Sequence, residues 1–306
     1  RTANVHELLD LMDAHDADEA TVRAKAEALD WSVLDTSLSD ALARYAGKSF
    51  DLESGALTIS EEDVYRTFAK SGGALKRGME LIEHVRSLGV PHEFEFAVDE
   101  TARITTHAEH AILVSELTRR GVELASFAPR WVGQFEKGVE YIGSRDALAH
   151  DVRVHAEIAR ALGPYKLSLH SGSDKFSIYP LFAEETRGLH HLKTAGTSWV
   201  EALRVVAAKD PALLREILAE SLASFEVNRH SYHLSCDPAK IPANPSDDQL
   251  DDLVTAIDSR QVMHVGYGPV LEKYGAQIKQ ILVDNEEMLY EVIREHFVKH
   301  LEPFGK

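Results

Sequence analysis

Residues 166–177 read KLSLHSGSDKFS, and this stretch decides how the chain is laid out. Leu167 and Leu169 alternate with Lys166, Ser168 and His170, the period of a strand with one apolar face. At His170 the alternation stops, and Ser171, Gly172, Ser173, Asp174 and Lys175 follow. A strand that ends in such a polar run reads as the entry to a βα loop at the mouth of an α/β fold. Gly172 permits a tight backbone there, and Ser171, Ser173 and Lys175 offer donors to substrate hydroxyls or to a carboxylate.

Outward from this stretch, short β-like runs recur: WSVLD (31–35), EFEFAV (93–98), ELASF (123–127), HLKTA (191–195), SYHLSC (231–236) and QVMHVG (261–266). Amphipathic helical patterns fall between and around them. Val5, Leu8, Leu9 and Met12 share one helix face, and Ser60 to Asp63 reads as a capping box opening a helix through Lys70. Leu75–Leu88, Glu109–Arg120 and Ala147–Leu162 stop at Gly89, Gly121 and Gly163, each expected as a left-handed cap. Later helices are expected at 198–208, 212–225, 247–257 and 277–300. No Asn-Gly hairpin signal, linker, repeat or low-complexity segment interrupts this order. Alternating strands and helices imply parallel strands with helical crossovers. The expectation is one α/β domain over 1–306, a TIM-like (β/α) barrel, with a doubly wound sheet as runner-up.

The chain has 306 residues, 44% of them apolar, enough for a large core. A net charge of −17 argues against a nucleic-acid partner, which requires a basic surface. An anionic substrate would need a local basic pocket. Cys236 is the one cysteine, which excludes an intrachain disulfide and a cysteine zinc site and suits a reducing cytoplasm. No run of about 18 apolar residues marks a membrane span, and no signal-peptide pattern opens the chain. Homo-oligomerisation is left open.

Strand parity locates the chemistry. With Phe94, Phe96 and Val98 facing helices, Glu93, Glu95, Ala97 and Asp99 face inward. The same rule turns Lys166, Ser168 and His170 inward, then His191 and Lys193, His233 and Ser235, and His264. A lone inward histidine is usually a hydrogen-bonded structural residue. Asp99, His170, Lys193, His233 and His264 together, all near C-terminal strand ends, instead suggest a built site, because buried charges need partners or a metal. Glu95 lies about 13 Å deeper along its strand than Asp99 and is expected to pair with Lys166. His107, His110, His150, His155, His190, His296 and His300 fall on helices or loops and are read as mostly surface residues.

VDET (98–101), APRWVGQFEKGVEYIG (128–143), YKLSLHSGSDKFSIYP (165–180), HLKTAGTSWVEALR (191–204) and RQVMHVGYG (260–268) resemble the tagaturonate epimerase family. The resemblance runs from residue 93 to the C-terminus. It implies a metal-dependent epimerase of hexuronate catabolism that interconverts D-tagaturonate and D-fructuronate, with some members acting on tagatose and fructose. It also implies a further N-terminal segment that this chain lacks.

These two uronates differ at C4, β to the C2 ketone, so simple enolisation cannot invert the centre. The absence of a G-x-G-x-x-G after a strand counts against transient oxidation by a bound nicotinamide. A retro-aldol cut of C3–C4 needs an electrophile at the C2 carbonyl and an acid/base at the C4 hydroxyl. Asp99, His170, His233 and His264 would suit Zn²⁺, Mn²⁺, Ni²⁺ or Co²⁺ as that electrophile. Asp174 or Lys193 would move the proton, and Arg130 and Lys175 would grip the C6 carboxylate. Two rivals stand beside this reading: a Schiff-base aldolase using Lys193, and a catalytically inactive sugar-binding barrel.

Overall fold

The computed structural model describes residues 18–194, 196–231 and 234–305. The helix read at Val5–Met12 lies outside the described residues, as does His233. Asp18 caps α1 (Glu19–Glu27) by accepting from the Thr21 amide. Trp31–Leu34, expected as a strand, is a 3₁₀ turn. Asp30 accepts from the Ser32 amide at 3.3 Å and Trp31 donates to Ala26 O at 3.0 Å, so local bonds bend the run. α2 (Leu38–Tyr45) leads into an antiparallel hairpin, β1 (Ser49–Leu52) and β2 (Gly55–Thr58), which the sequence reading missed. Phe50, Leu52 and Leu57 pack against Ala111, Val154 and Ile158, and this support from helices replaces any strong turn signal.

α3 (Glu61–Ser87) is one helix of 27 residues where two were expected. Its capping box at Ser60 and Asp63 forms as read. Gly72 does not break it. A Cβ at Gly72 would come 2.6 Å from Leu29 Cδ2, so the glycine serves close packing. β3 (Glu95–Ala97), α4 (His107–Arg119), β4 (Ser126–Ala128), α5 (Arg145–Leu162) and β5 (Lys166–Leu169) then alternate. α6 (Tyr179–Thr186) and β6 (His190–Leu192) follow. Gly89 and Gly121 end their helices at φ +63 and +69 as expected, whereas Gly163 has φ −117. Glu109 closes the capping box at Thr106 and also receives Lys70 Nζ at 2.8 Å and Ser71 Oγ at 2.6 Å.

The sheet order is β3-β4-β5-β6. β3, β4 and β5 pair in parallel, Glu95 opposite Ser126 and Ser126 opposite Lys166. The result is an α/β fold with a parallel sheet and many helices, as the alternation implied. The side chains of Phe96, Val98, Phe127, Leu167 and Leu169 are buried, at most 3% exposed, as parity requires.

Further along come α7 (Ser198–Lys209), α8 (Pro211–Asn228), α9 (Asp247–Thr255), α10 (Ile257–Val265), α11 (Tyr267–Asp284) and α12 (Glu286–Leu301). The long helix expected at 277–300 is therefore divided at Asn285. Two expected strands are corrected. Leu234–Cys236 is not a strand, because side chains take its amides: Ser235 N donates to Glu136 at 2.8 Å and Cys236 N to Gln261 at 3.0 Å. QVMHVG lies in α10 and its end. Gln261, Val262, Met263 and Val265 are all buried, so an apolar alternation this short could not distinguish strand from helix.

The described residues divide into two compact units, one made of those up to Val132 with Ser144–His170 and Glu184–His191, the other of Gly133–Gly143 with Ser171–Ala183 and those from Leu192 onward. The second has its own core, where Val200, Leu203, Leu213, Ile217, Phe225, Val262 and Ile278 pack together.

Candidate functional site

In the first unit, parity brings side chains from all four strands of the sheet to one face. His170, at the end of β5, is 4% exposed. Its Nδ1 lies 2.9 Å from Asp99 Oδ1 and its Nε2 lies 2.7 Å from Glu95 Oε1. Glu95 also accepts from Ser126 Oγ and lies 2.9 Å from His191 Nδ1. His191 in turn lies 3.0 Å from Ser168 Oγ. The expected pairing of Glu95 with Lys166 is corrected: the carboxylate takes two imidazoles and a hydroxyl, and Lys166 is exposed.

Electrostatics follow from these contacts. Burial opposes the His170 imidazolium, but the hydrogen bonds to Asp99 and Glu95 outweigh it and raise its pKa above the ordinary histidine value. Burial likewise opposes the Glu95 carboxylate, and bonds from His170, Ser126 and His191 hold it far below the usual carboxylate range. Arg130 is half-buried, with its pKa lowered by burial and partly restored by the nearby Asp99 charge. Two carboxylates and two imidazoles linked in this way on one sheet face can pass protons between them.

The remaining expected residues lie in the second unit, apart from His233, which is outside the described residues. Ser171 has φ +50 and accepts from Lys137 Nζ at 2.6 Å. Ser173 is buried and its carbonyl accepts from Lys175. Lys175 is fully buried rather than poised for a carboxylate. Its ammonium donates to the carbonyls of Glu136 at 2.7 Å, Ser173 at 3.1 Å and Val139, which occupies all three donors. Lys193 is exposed, and its carbonyl accepts from Gly172 N at 3.1 Å. His264 sits on α10, with its pKa lowered to about 4 by burial, then by Lys137 and Arg260.

Asp174 is buried at φ +61 and accepts from Arg260 at 3.1 Å through Oδ1, while Oδ2 has no hydrogen-bond partner. Arg260 also reaches Glu201 at 2.7 Å. His296 and His300 complete this cluster, and with Asp174 they form a group able to hold a metal. A second such group, His107, Asp151 and His155, lies in the first unit. His110, His155, His296 and His300 are therefore buried, against the expectation of surface residues. Burial holds His110 and His155 well below the ordinary histidine pKa. Glu95 was detectable in sequence because it shares Asp99's parity. Arg260, Glu201 and the helical histidines left no periodic signal.

The family model described as tagaturonate epimerase matches residues 7–304. The chain belongs to the tagaturonate epimerase family. A curated tagaturonate/fructuronate epimerase from Thermotoga maritima is 45% identical over 216 residues, 69% of this chain and 44% of that protein. The native crystal structure of the fructuronate-tagaturonate epimerase from Cohnella laeviribosi is 34% identical, with a TM-score of 0.90 over 97% of this chain and 62% of that one. The same enzyme crystallised with one glycerol is 33% identical with a TM-score of 0.90. The chain thus spans less than two thirds of the length of these epimerase family relatives. No described helix is long and apolar enough to cross a membrane.

Proposed function

We propose that the chain carries the C4-epimerase activity of its family, interconverting D-tagaturonate and D-fructuronate. The observation that carries the reading is the sheet-face set Glu95, Asp99, His170 and His191 in a member of an epimerase family. The sequential order β3-β4-β5-β6, with β3, β4 and β5 parallel, supports extending the sheet to a TIM-like barrel wall.

The donor chemistry fits a divalent transition metal such as Zn²⁺, Mn²⁺, Ni²⁺ or Co²⁺. Carboxylates and imidazoles share protons here at 2.7–2.9 Å, positions from which a cation would displace them. Because Asp99 and Glu95 contact opposite nitrogens of the His170 ring, one ion would be held by His170 with Asp99, or by His170 with Glu95 and His191 beside it, not by all four. When bound, the metal supplies positive charge that polarises the substrate ketone. Arg130 pairs with the C6 carboxylate.

A general base accepts the C4-hydroxyl proton, and Asp174 and Lys193 are the candidates that the sequence offers for that role. As that proton leaves, the C3–C4 bond breaks and its electron pair moves toward C2, giving an enediolate and an aldehyde at C4. The aldehyde turns its other face, the bond re-forms and the proton returns to O4. The C4 hydrogen never leaves its carbon.

The test incubates purified chain with C4-deuterated D-tagaturonate and follows D-fructuronate by NMR. Conversion with the label retained, and lost in His170→Ala, is expected. No conversion sinks the activity, and label washed into water sinks the retro-aldol route. A borohydride-trapped adduct on Lys193 would favour the aldolase reading. Arg130→Ala should raise KM for the uronate more than for tagatose.

A further inference from the structure

We infer that the first unit holds a second, helix-side divalent-cation site made by His107, Asp151 and His155, apart from the sheet-face set. The separation follows from parity. Ser126 points at Glu95, so the next residue, Phe127, points to the opposite face. His110 stacks on that Phe127 ring, with centroids 4.2 Å apart and planes within 4°. His155 is hydrogen-bonded to His110, so the group lies on the sheet's helix-packed face.

Two elements build it. His107 is the first residue of α4, and Asp151 and His155 stand one turn apart on α5. His107 Nε2 lies 3.2 Å and His155 Nε2 3.6 Å from Asp151 Oδ1. All three ligand atoms lie within 4.8 Å of one another. Ligands about 2.1 Å from a tetrahedral zinc are about 3.4 Å apart, so the two measured separations straddle the edge of such a site.

The hydrogen bonds behind the ligands suit that role. His155 is fully buried, and its Nε2 has no hydrogen-bond partner. A hydrogen on that nitrogen would find no acceptor at hydrogen-bond distance, with Asp151 Oδ1 3.6 Å away, whereas a lone pair there would face a cation shared with that carboxylate. The lone pair at Nε2 places the ring hydrogen on Nδ1, which then donates to His110 Nδ1 at 2.8 Å. His110 next donates from Nε2 to Tyr165 Oη at 2.8 Å. Outer hydrogen bonds of this kind orient metal-binding histidines. Asp151 is fixed as well, because its other oxygen accepts from Val132 N at 3.1 Å. The Asp174, His296 and His300 group lacks this preparation: His300 Nε2 already accepts from Asp174 N, and His300 Nδ1 is bonded to His296 O.

The test strips the full chain with a chelator, then titrates Co²⁺ by visible absorption and Zn²⁺ by calorimetry. Wild type should lose one bound ion per chain on Asp151→Asn, which keeps an oxygen for Val132 N, and on half-buried His107→Gln. Affinity at that site should fall by about 100-fold or more, beyond the loss of an outer partner alone. His170→Ala should leave this ion in place, which separates the inference from the epimerase reading. Zn²⁺ should raise the Tm of wild type and of His170→Ala through this site. Equal stoichiometry and affinity in wild type, Asp151→Asn and His107→Gln would overturn it, as would a wild type that binds no Zn²⁺.

Discussion

His170 and Lys175 come from one short stretch, and both are buried, at 4% and 0% exposure. Their surroundings differ in kind. His170 lies between the carboxylates of Asp99 and Glu95, and full negative charge raises its pKa despite burial. Lys175 meets three backbone carbonyls, which bring dipoles rather than charge, and burial brings its pKa down to about 8. Counter-charge holds a cation in a state that chemistry can use. Carbonyls use a cation as a clasp, here joining the backbone at Glu136, Val139 and Ser173.

The comparison is sharpest if the two positions fail differently. His170→Ala should lower kcat/KM for tagaturonate by about 10³-fold or more. A loss below tenfold in steady-state assays would break the contrast. Lys175→Met removes the clasp and leaves buried carbonyls without donors, which should cost about 3 kcal/mol. Urea unfolding followed by circular dichroism reads this out, and an unshifted midpoint would show the carbonyls finding other donors.

His264 supplies a third group, a half-buried ring kept neutral in the fold because burial, Lys137 and Arg260 lower its pKa to about 4. The unfolded chain binds this proton near pH 6.5, so the neutral ring contributes fully above that pH. The contribution is lost as pH falls from 6.5 through 4, on the order of 2–3 kcal/mol. His264→Gln should flatten the pH dependence of stability across that window, measured by urea melts at pH 7, 5 and 4. A smaller effect is expected away from all three groups. Asp63→Ala opens the capping box at Ser60 and should cost about 1 kcal/mol, read as a lowered Tm.

Parity in strands carried most of what the sequence made legible. EFEFAVD and KLSLH have helix-facing apolar residues, so the direction of Glu95, Asp99 and His170 followed from a period of two. The strands expected at WSVLD, at Leu234–Cys236 and at QVMHVG failed for a local reason, since side-chain bonds to the backbone or burial on several sides outweighed a short alternation. His110 and His155 were hidden because a histidine amid apolar helix positions carries no mark of its hydrogen-bond partner. Lys175 looked like a ligand for a carboxylate because donor type can be read from sequence, while three carbonyls from backbone elsewhere cannot.

Glu109 has a mechanical consequence. One carboxylate closes the first turn of α4 and also receives Lys70 and Ser71 from the middle of α3. A slip of one residue between the two helices would rotate Lys70 away and leave a buried charge unmatched. Intermediate registers therefore gain little, and the pair should melt in a single step, with Lys70→Met exposing the amides of both helices to hydrogen exchange together.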